Sequence, residues 1–350
     1  MKVLITHGFS AKNLGDGLLV EETIDIVRQA FGQDTSITLA THYPETFDLP
    51  GIRMVRSAPN SRGYSLEYLK LLTQFKSFDF IVAVGGGYMR MGYPLEMLKT
   101  GLVHLPQLAA TALAGKPSVY LPQSIGPLRG GSLRPFRALL AKTSRVYLRD
   151  QRSISELALP NAVRFPDLAA LDVSRSLETR QVDPLPVLSI RAIRGTVPAG
   201  IYELEKLLPT FDTYIQSTTG GNNDIPATET LNYSSILPRE ELMVPSAGPR
   251  VIVAVRLHAA LMALRAGHYV VHLSYERKGF GAFEDLGLKD YVFNVNSFSP
   301  SQVADLVDQL LNNPEARAAY DQAIAGTEES RFTAKSRLIA DLQALSPSAS

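Results

Sequence analysis

The chain has 350 residues, 45% hydrophobic and 20% charged, with a formal net charge of +1. That composition suits two ordinary domains with a sizeable core, and it excludes global disorder and a dedicated nucleic-acid binder. With no cysteine, disulfides, thiol catalysis and cysteine-ligated zinc are excluded together, which fits a reducing compartment such as the cytoplasm.

The charge is uneven. Residues 1–172 carry 19 Lys+Arg against 14 Asp+Glu, a balance of +5, and residues 173–350 carry 16 against 20, a balance of −4. A mildly basic first half suits anionic ligands or the inner face of a membrane, although ordinary surface variation produces the same asymmetry. Met1-Lys2 leads directly into a strand-like run, so no signal peptide is expected.

Lys2–Thr6 reads as a first strand. It runs into a loop, residues 7–17, carrying Asn13, Gly15 and Asp16, and then into a helical pattern over Leu18–Ala30. A strand, a Gly-bearing loop and a helix form a ligand-binding layout. The fingerprints of nicotinamide-cofactor and P-loop sites are absent. Asn13 and Asp16 serve equally well as helix caps. Ser36–Ala40 and Asp79–Val84 are further strands, the second ending in Gly85-Gly86-Gly87, where a backbone can approach a ligand closely. Ser118–Pro122 is another, followed by Gln123-Ser124-Ile125-Gly126-Pro127. This run resembles a nucleophile elbow, but Pro122 stands where the leading glycine is required. Ser124 is therefore read as a hydrogen-bonding loop residue. Arg145–Asp150 is a strand whose Arg149 either holds a ligand or pairs with Asp150, before a helix that begins at Ser153.

Asp172–Pro186 reads as a linker, giving domains of 1–175 and 176–345. Val187–Arg191 opens the second domain with Arg191 at a strand end, Thr213–Thr218 is a second strand, and Gly220–Asp224 is a loop. Val251–Lys278 then carries a strand, an Ala/Leu-rich helix ending at Gly267, and a strand Tyr269–Leu273, the unit that builds a parallel sheet. Arg256 and His258 stand where its first strand gives way to the helix, the edge at which open α/β sheets bind ligands and helix N-termini bind anions. Arg256 offers a planar fork for carboxylate or phosphate, and His258 a proton near neutral pH. Lys278 follows the next strand to the same edge. His268 and His272 lie on a strand, about 13 Å apart at the usual rise, too far to share an ion, and no metal site is expected. A last strand, Tyr291–Asn294, precedes helices over Ser301–Leu311 and Pro314–Leu345 and a disordered tail, Ser346–Ser350.

Taken together, several motifs resemble the polysaccharide pyruvyl transferase family. They are Asn13-Leu14-Gly15-Asp16, Gly85-Gly86-Gly87, Gln123 to Pro127, Arg149 to Ser153, Asp167-Leu168-Ala169, Arg256-Leu257-His258-Ala259, Tyr275 to Lys278, and Asp285 to Leu288. The resemblance implies an α/β fold of two Rossmann-like domains with parallel sheets facing a central cleft, similar to the GT-B glycosyltransferases. It implies transfer of pyruvate from phosphoenolpyruvate to a sugar of a polysaccharide or lipid-linked glycan, as a ketal, with no cofactor. Within it, Arg256, Leu257 and His258 serve the donor, and Arg191 matches an arginine near the start of the second domain. Residues 216–247 depart from the pattern. The expected catalytic residues are His258 and, on the acceptor side, Asp16. Arg256, Leu257, Arg191 and Lys278 bind the donor, and Asn13, Gly15, Gly86, Gly87, Ser124 and Arg149 line the acceptor side or cleft. A GT-B glycosyltransferase using a nucleotide sugar, and a glycan-binding protein that has lost the chemistry, are the alternatives.

Overall fold

The computed structural model describes residues 1–129, 131–175, 181–208, 210–218, 223–244 and 248–347. Gly220–Asn222 of the expected loop, part of the expected linker and residues 348–350 of the tail lie outside them. Twelve strands are described. In chain order they are β1 (Lys2–Gly8), β2 (Ser36–Thr41), β3 (Arg53–Arg56), β4 (Phe80–Ala83), β5 (Ser118–Gln123), β6 (Arg145–Leu148), β7 (Ala162–Arg164), β8 (Val187–Ser189), β9 (Asp212–Thr213), β10 (Val251–Ala254), β11 (Tyr269–Ser274) and β12 (Val292–Asn294).

They form two sheets, β3-β2-β1-β4-β5-β6-β7 and β12-β11-β10-β8-β9, in which every strand pair is parallel. Parallel strands need long crossovers, usually helical, that cover the sheet faces, so their own side chains are buried throughout. The sequence obeys this. Val251–Ala254 and Tyr269–Ser274 are buried at every position, and Phe80–Ala83 likewise. The first sheet has the doubly wound order, and the second, numbered from its own first strand, has the flavodoxin-like order. Each order reverses once, between β1 and β4 in the first sheet and between β8 and β10 in the second.

The chain divides into two units. The first comprises Met1–Ala11, Asp16–Leu168 and Thr333–Ser350, and the second Lys12–Gly15 and Ala169–Phe332. The 31-residue helix Pro314–Ala344 contributes to both. Its earlier part is held in the second unit, where the Tyr320 hydroxyl accepts from Val270 N–H and donates to Val270 carbonyl, each at 2.9 Å. Its later part is held in the first, where Asp341 Oδ2 accepts from Tyr147 at 2.6 Å and from Arg145 at 2.9 Å.

Most expected elements occur, with boundaries moved by a few residues. β3 and β7 were not expected; both are short, and neither alternates clearly in polarity. The expected strand Thr213–Thr218 joins the sheet only at its start, because β9 is an edge strand of two residues and the chain then leaves the sheet. The first helix begins at Leu14, inside the expected loop. The helix after β6 begins at Gln151, two residues early, because Asp150 caps it by accepting from Ser153 N–H.

Candidate functional site

The second unit gathers its chemistry at the reversal between β8 and β10. β10 ends at Ala254, and Arg256 is the residue before the helix Leu257–Arg265. One edge of its guanidinium is engaged by both carboxylate oxygens of Asp224, Nε donating to Oδ2 and Nη2 to Oδ1, each at 2.6 Å. Asp224 also accepts from Ser217 N–H at 3.1 Å. Burial pushes the Asp224 carboxyl above the ordinary carboxylate range, against the pull of Arg256 and, more weakly, of Arg191. Two cations from the ends of β8 and β10 thus act on one carboxylate.

The short segment Lys12–Gly15 belongs to this unit. Asn13 forms an antiparallel bridge with Ser217. Gly15 lies against His258 so closely that a Cβ there would stand 2.3 Å from Nδ1 and 2.4 Å from the histidine Cβ. Glycine at position 15 is therefore a requirement of close approach. Leu257 is buried in the core below the helix start. Asp16 follows Gly15 in the first turn of the helix Leu14–Phe31. Arg191 donates to the Tyr275 hydroxyl at 2.9 Å and stacks over its ring with the guanidinium carbon 5.1 Å from the centroid. Lys278, in the helix Arg277–Asp285 after β11, pairs with Glu276 at 2.8 Å.

Arg256, Arg191, Lys278, Asn13, Gly15 and His258 therefore share one unit, and the cations Arg256, Arg191 and Lys278 each have a named partner. Sequence reading missed Asp224 as that partner, along with Gln216 and Ser217. Gln216 Oε1 and Ser217 Oγ are buried with no hydrogen-bond partner among the described residues. Nothing local marks them, since Asp224 lies 32 residues from Arg256 and is joined to it only through the sheet order.

In the first unit the glycine run continues the sheet beyond β4. Gly86 bridges Gln123, Ser124 N–H donates to Gly86 carbonyl at 2.8 Å, and a Cβ at Gly85 would meet the Pro122 carbonyl at 2.8 Å. Gly86 has φ of 147°, where a side chain is strained. Gly87 carbonyl accepts from Arg90 Nε at 3.0 Å. Arg149 does not pair with Asp150, which is occupied as the helix cap. Its partner is Asp167, an almost fully buried ion pair, and its Nε donates to Ser124 Oγ at 3.0 Å. Its Nη2 is buried with no partner among the described residues.

At the reversal between β1 and β4 a second buried cluster forms. His7 Nδ1 faces His104 Nδ1 at 3.2 Å, and His7 Nε2 lies 3.3 Å from the Tyr120 hydroxyl. Tyr88 stacks on both histidines. Burial lowers His7 to about 3 and His104 well below the ordinary histidine value, which keeps both rings neutral near neutral pH. His268 and His272, both lowered by burial to about 4, are structural: one nitrogen of His268 accepts from Arg250 N–H at 2.9 Å, and His272 Nδ1 donates to Ala254 carbonyl at 2.8 Å. Among the described residues no group of three or more His, Cys, Asp or Glu side chains is placed to hold a metal.

Comparison with known proteins adds three findings. The family model described as polysaccharide pyruvyl transferase matches residues 13–277. The amylovoran biosynthesis protein AmsJ of Erwinia amylovora is 30% identical over 94 residues, 25% of this chain and 23% of that protein, so the match spans about a quarter of the relative. Among solved structures, HepE of Anabaena, in complex with UDP, superposes with a TM-score of 0.57 at 13% identity, covering 98% of this chain and 100% of that one. The spinosyn forosaminyltransferase SpnP gives 0.53 at 13% identity, covering 98% and 99%. At those identities the structural likeness speaks for the fold, a two-domain GT-B-like architecture.

Proposed function

The chain belongs to the polysaccharide pyruvyl transferase family, and on that premise we propose that it transfers pyruvate from phosphoenolpyruvate to two hydroxyls of one glycan sugar, as a ketal, without a cofactor. The observation that carries the reading is the convergence of Arg256, Arg191, Asn13, Gly15 and His258 at the β8/β10 reversal, where a parallel sheet binds ligands.

The reaction dictates what such a site must supply. One sugar hydroxyl adds to C2 of the enol phosphate while C3 takes a proton and becomes a methyl group. The second hydroxyl then attacks C2 and inorganic phosphate leaves, so one phosphate is released for each ketal. The donor carries a phosphate and a carboxylate, for which Arg191, Arg256 and Lys278 are the cations and the start of the helix Leu257–Arg265 the source of free N–H groups. His258 is the proposed proton donor to C3, and positioned acid catalysis of this kind is worth about 10²–10⁴-fold. Asp16 is the proposed base for the attacking hydroxyl. Gly85–Gly87, Ser124 and Arg149 are proposed to face the acceptor.

Incubation with phosphoenolpyruvate and a panel of free and lipid-linked glycans tests this, followed by mass and by phosphate release. Acceptor gaining a pyruvyl group in step with phosphate release is the expected result. Sugar transfer from a UDP-sugar, with no reaction of phosphoenolpyruvate, would assign the chain to nucleotide-sugar chemistry instead.

A further inference from the structure

Half of the exposed large apolar side chains among the described residues lie between positions 66 and 102, in the first unit. Leu66 is 85% exposed, Leu95 78% and Leu98 59%. Two short helices present them. In the helix Leu66–Thr73, Tyr68 and Leu71 are buried while Leu66 and Leu69 point outward. The helix Pro94–Lys99 buries none of its residues, and Leu95, Leu98 and, one turn on, Leu102 stand exposed at helical spacing. The Tyr64 hydroxyl donates to the Leu102 carbonyl, which ties the entry of the first helix to the turn that follows the second. The start of the first apolar helix is thus held to the segment that carries Leu102, one turn past the second.

Charge accompanies them in a regular way. Each helix carries a lysine four residues after its first exposed leucine, Lys70 after Leu66 and Lys99 after Leu95, which places leucine and lysine on one face. The nearby acids are already engaged: Glu67 pairs with Arg53 at 2.9 Å, and Glu96 accepts from Gly92 N–H at 2.9 Å. Lys70 is in no ion pair among the described residues, and Lys99 rests over the Phe9 ring, 4.9 Å from its centroid. Tyr93, also exposed, stands at the rim, an amphipathic ring of the kind favoured at a bilayer surface. No helix among the described residues is long and apolar enough to cross a membrane.

We infer that this face docks on an anionic phospholipid bilayer, with Leu66, Leu95 and Leu98 entering the interface and Lys70 and Lys99 meeting the head groups. Protruding leucines flanked by lysines are what interfacial binding uses, since it sums buried apolar area with attraction to anionic lipid. A flat hydrophobic contact with a protein partner has no need of the lysines.

Flotation of the full chain with phosphatidylglycerol/phosphatidylcholine vesicles and with phosphatidylcholine vesicles tests the inference. Binding to the anionic vesicles, weakened by salt, is expected. Leu95→Ser with Leu98→Ser should lower partitioning by more than about tenfold, and Lys70→Gln and Lys99→Gln by about fivefold each. Far-UV circular dichroism checks that the variants remain folded, and the lysine pair gives a reading that does not depend on the leucine variants. A chain that stays with neither vesicle, or leucine variants that float like the parent, overturns it. So does self-association in sedimentation that the leucine variants abolish, which would make the face an interface between copies.

Discussion

Asp224 holds Arg256 along one edge of its guanidinium, its two carboxylate oxygens accepting from Nε and Nη2 at 2.6 Å each. The side chains are only 2% and 10% exposed, so desolvation offsets much of their attraction, as the upward push on the Asp224 carboxyl shows. Such a pair adds little net stability but is costly to break from one side.

Asp224→Ala should therefore destabilise the fold by about 3–5 kcal/mol, because Arg256 is left buried without its countercharge. Asp224→Leu combined with Arg256→Met should recover most of that loss while leaving the chain without phosphoenolpyruvate-dependent turnover. Urea unfolding and phosphate release read the two effects separately. A double variant that keeps its turnover would reduce Arg256 to a structural role.

Arg256→Lys should restore neither full stability nor full donor affinity. A lysine supplies one point charge, whereas Asp224 is met by a planar fork. Calorimetric titration with phosphoenolpyruvate measures the affinity, and parental affinity in the lysine variant would contradict the role given to the fork.

Gly15→Ala places a methyl group where the His258 ring and Cβ already stand. The ring cannot yield by rotation alone, because its Cβ is also within 2.4 Å. Overpacking of this kind costs about 1–3 kcal/mol. Turnover should fall with a smaller change in donor affinity, and a crystal structure of the variant would show His258 displaced.

His258→Gln keeps a hydrogen-bonding side chain of similar reach but cannot exchange a proton near neutral pH. Turnover should drop by about 10²–10⁴-fold with donor affinity largely retained. Normal turnover in this variant would pass the proton-transfer role to Asp16.

Stability should fall as pH is lowered below about 6.5, the ordinary histidine value. Burial holds His7 at about 3 and His268 and His272 at about 4, with His104 also well below the ordinary value. In that window the unfolded chain takes up protons that the folded chain refuses. Each buried histidine therefore costs about 1.4 kcal/mol of stability per pH unit, from the unfolded value down to its own folded value. Above about 6.5 the contribution is constant. Urea midpoints that do not move across the window would show that these rings accept protons in place.

Much of the architecture was legible in the residue order. Strand–loop–helix alternation predicts parallel sheets, and the run from Val251 to Lys278 shows why: its periods of burial are local, set by residues one to four apart, and the strand, helix and strand appear there as expected. Arg256 and His258 could be placed at a helix start for the same reason. β3 and β7 were hidden because strands of three or four residues at a sheet margin have too little pattern to read.

The partners were a different matter. Arg149 stands beside Asp150 in the chain, yet the helix begins at once and takes Asp150 as its cap, so the guanidinium pairs with Asp167. Gly15 reaches His258, Asp224 reaches Arg256, and His7 reaches His104 across 97 residues. The sequence by itself determined the elements and the chemical groups at their ends, because backbone hydrogen bonding and hydrophobic period act over a few residues. Only the tertiary structure decided which group meets which, because a buried charge or imidazole is satisfied by whatever the strand order brings beside it.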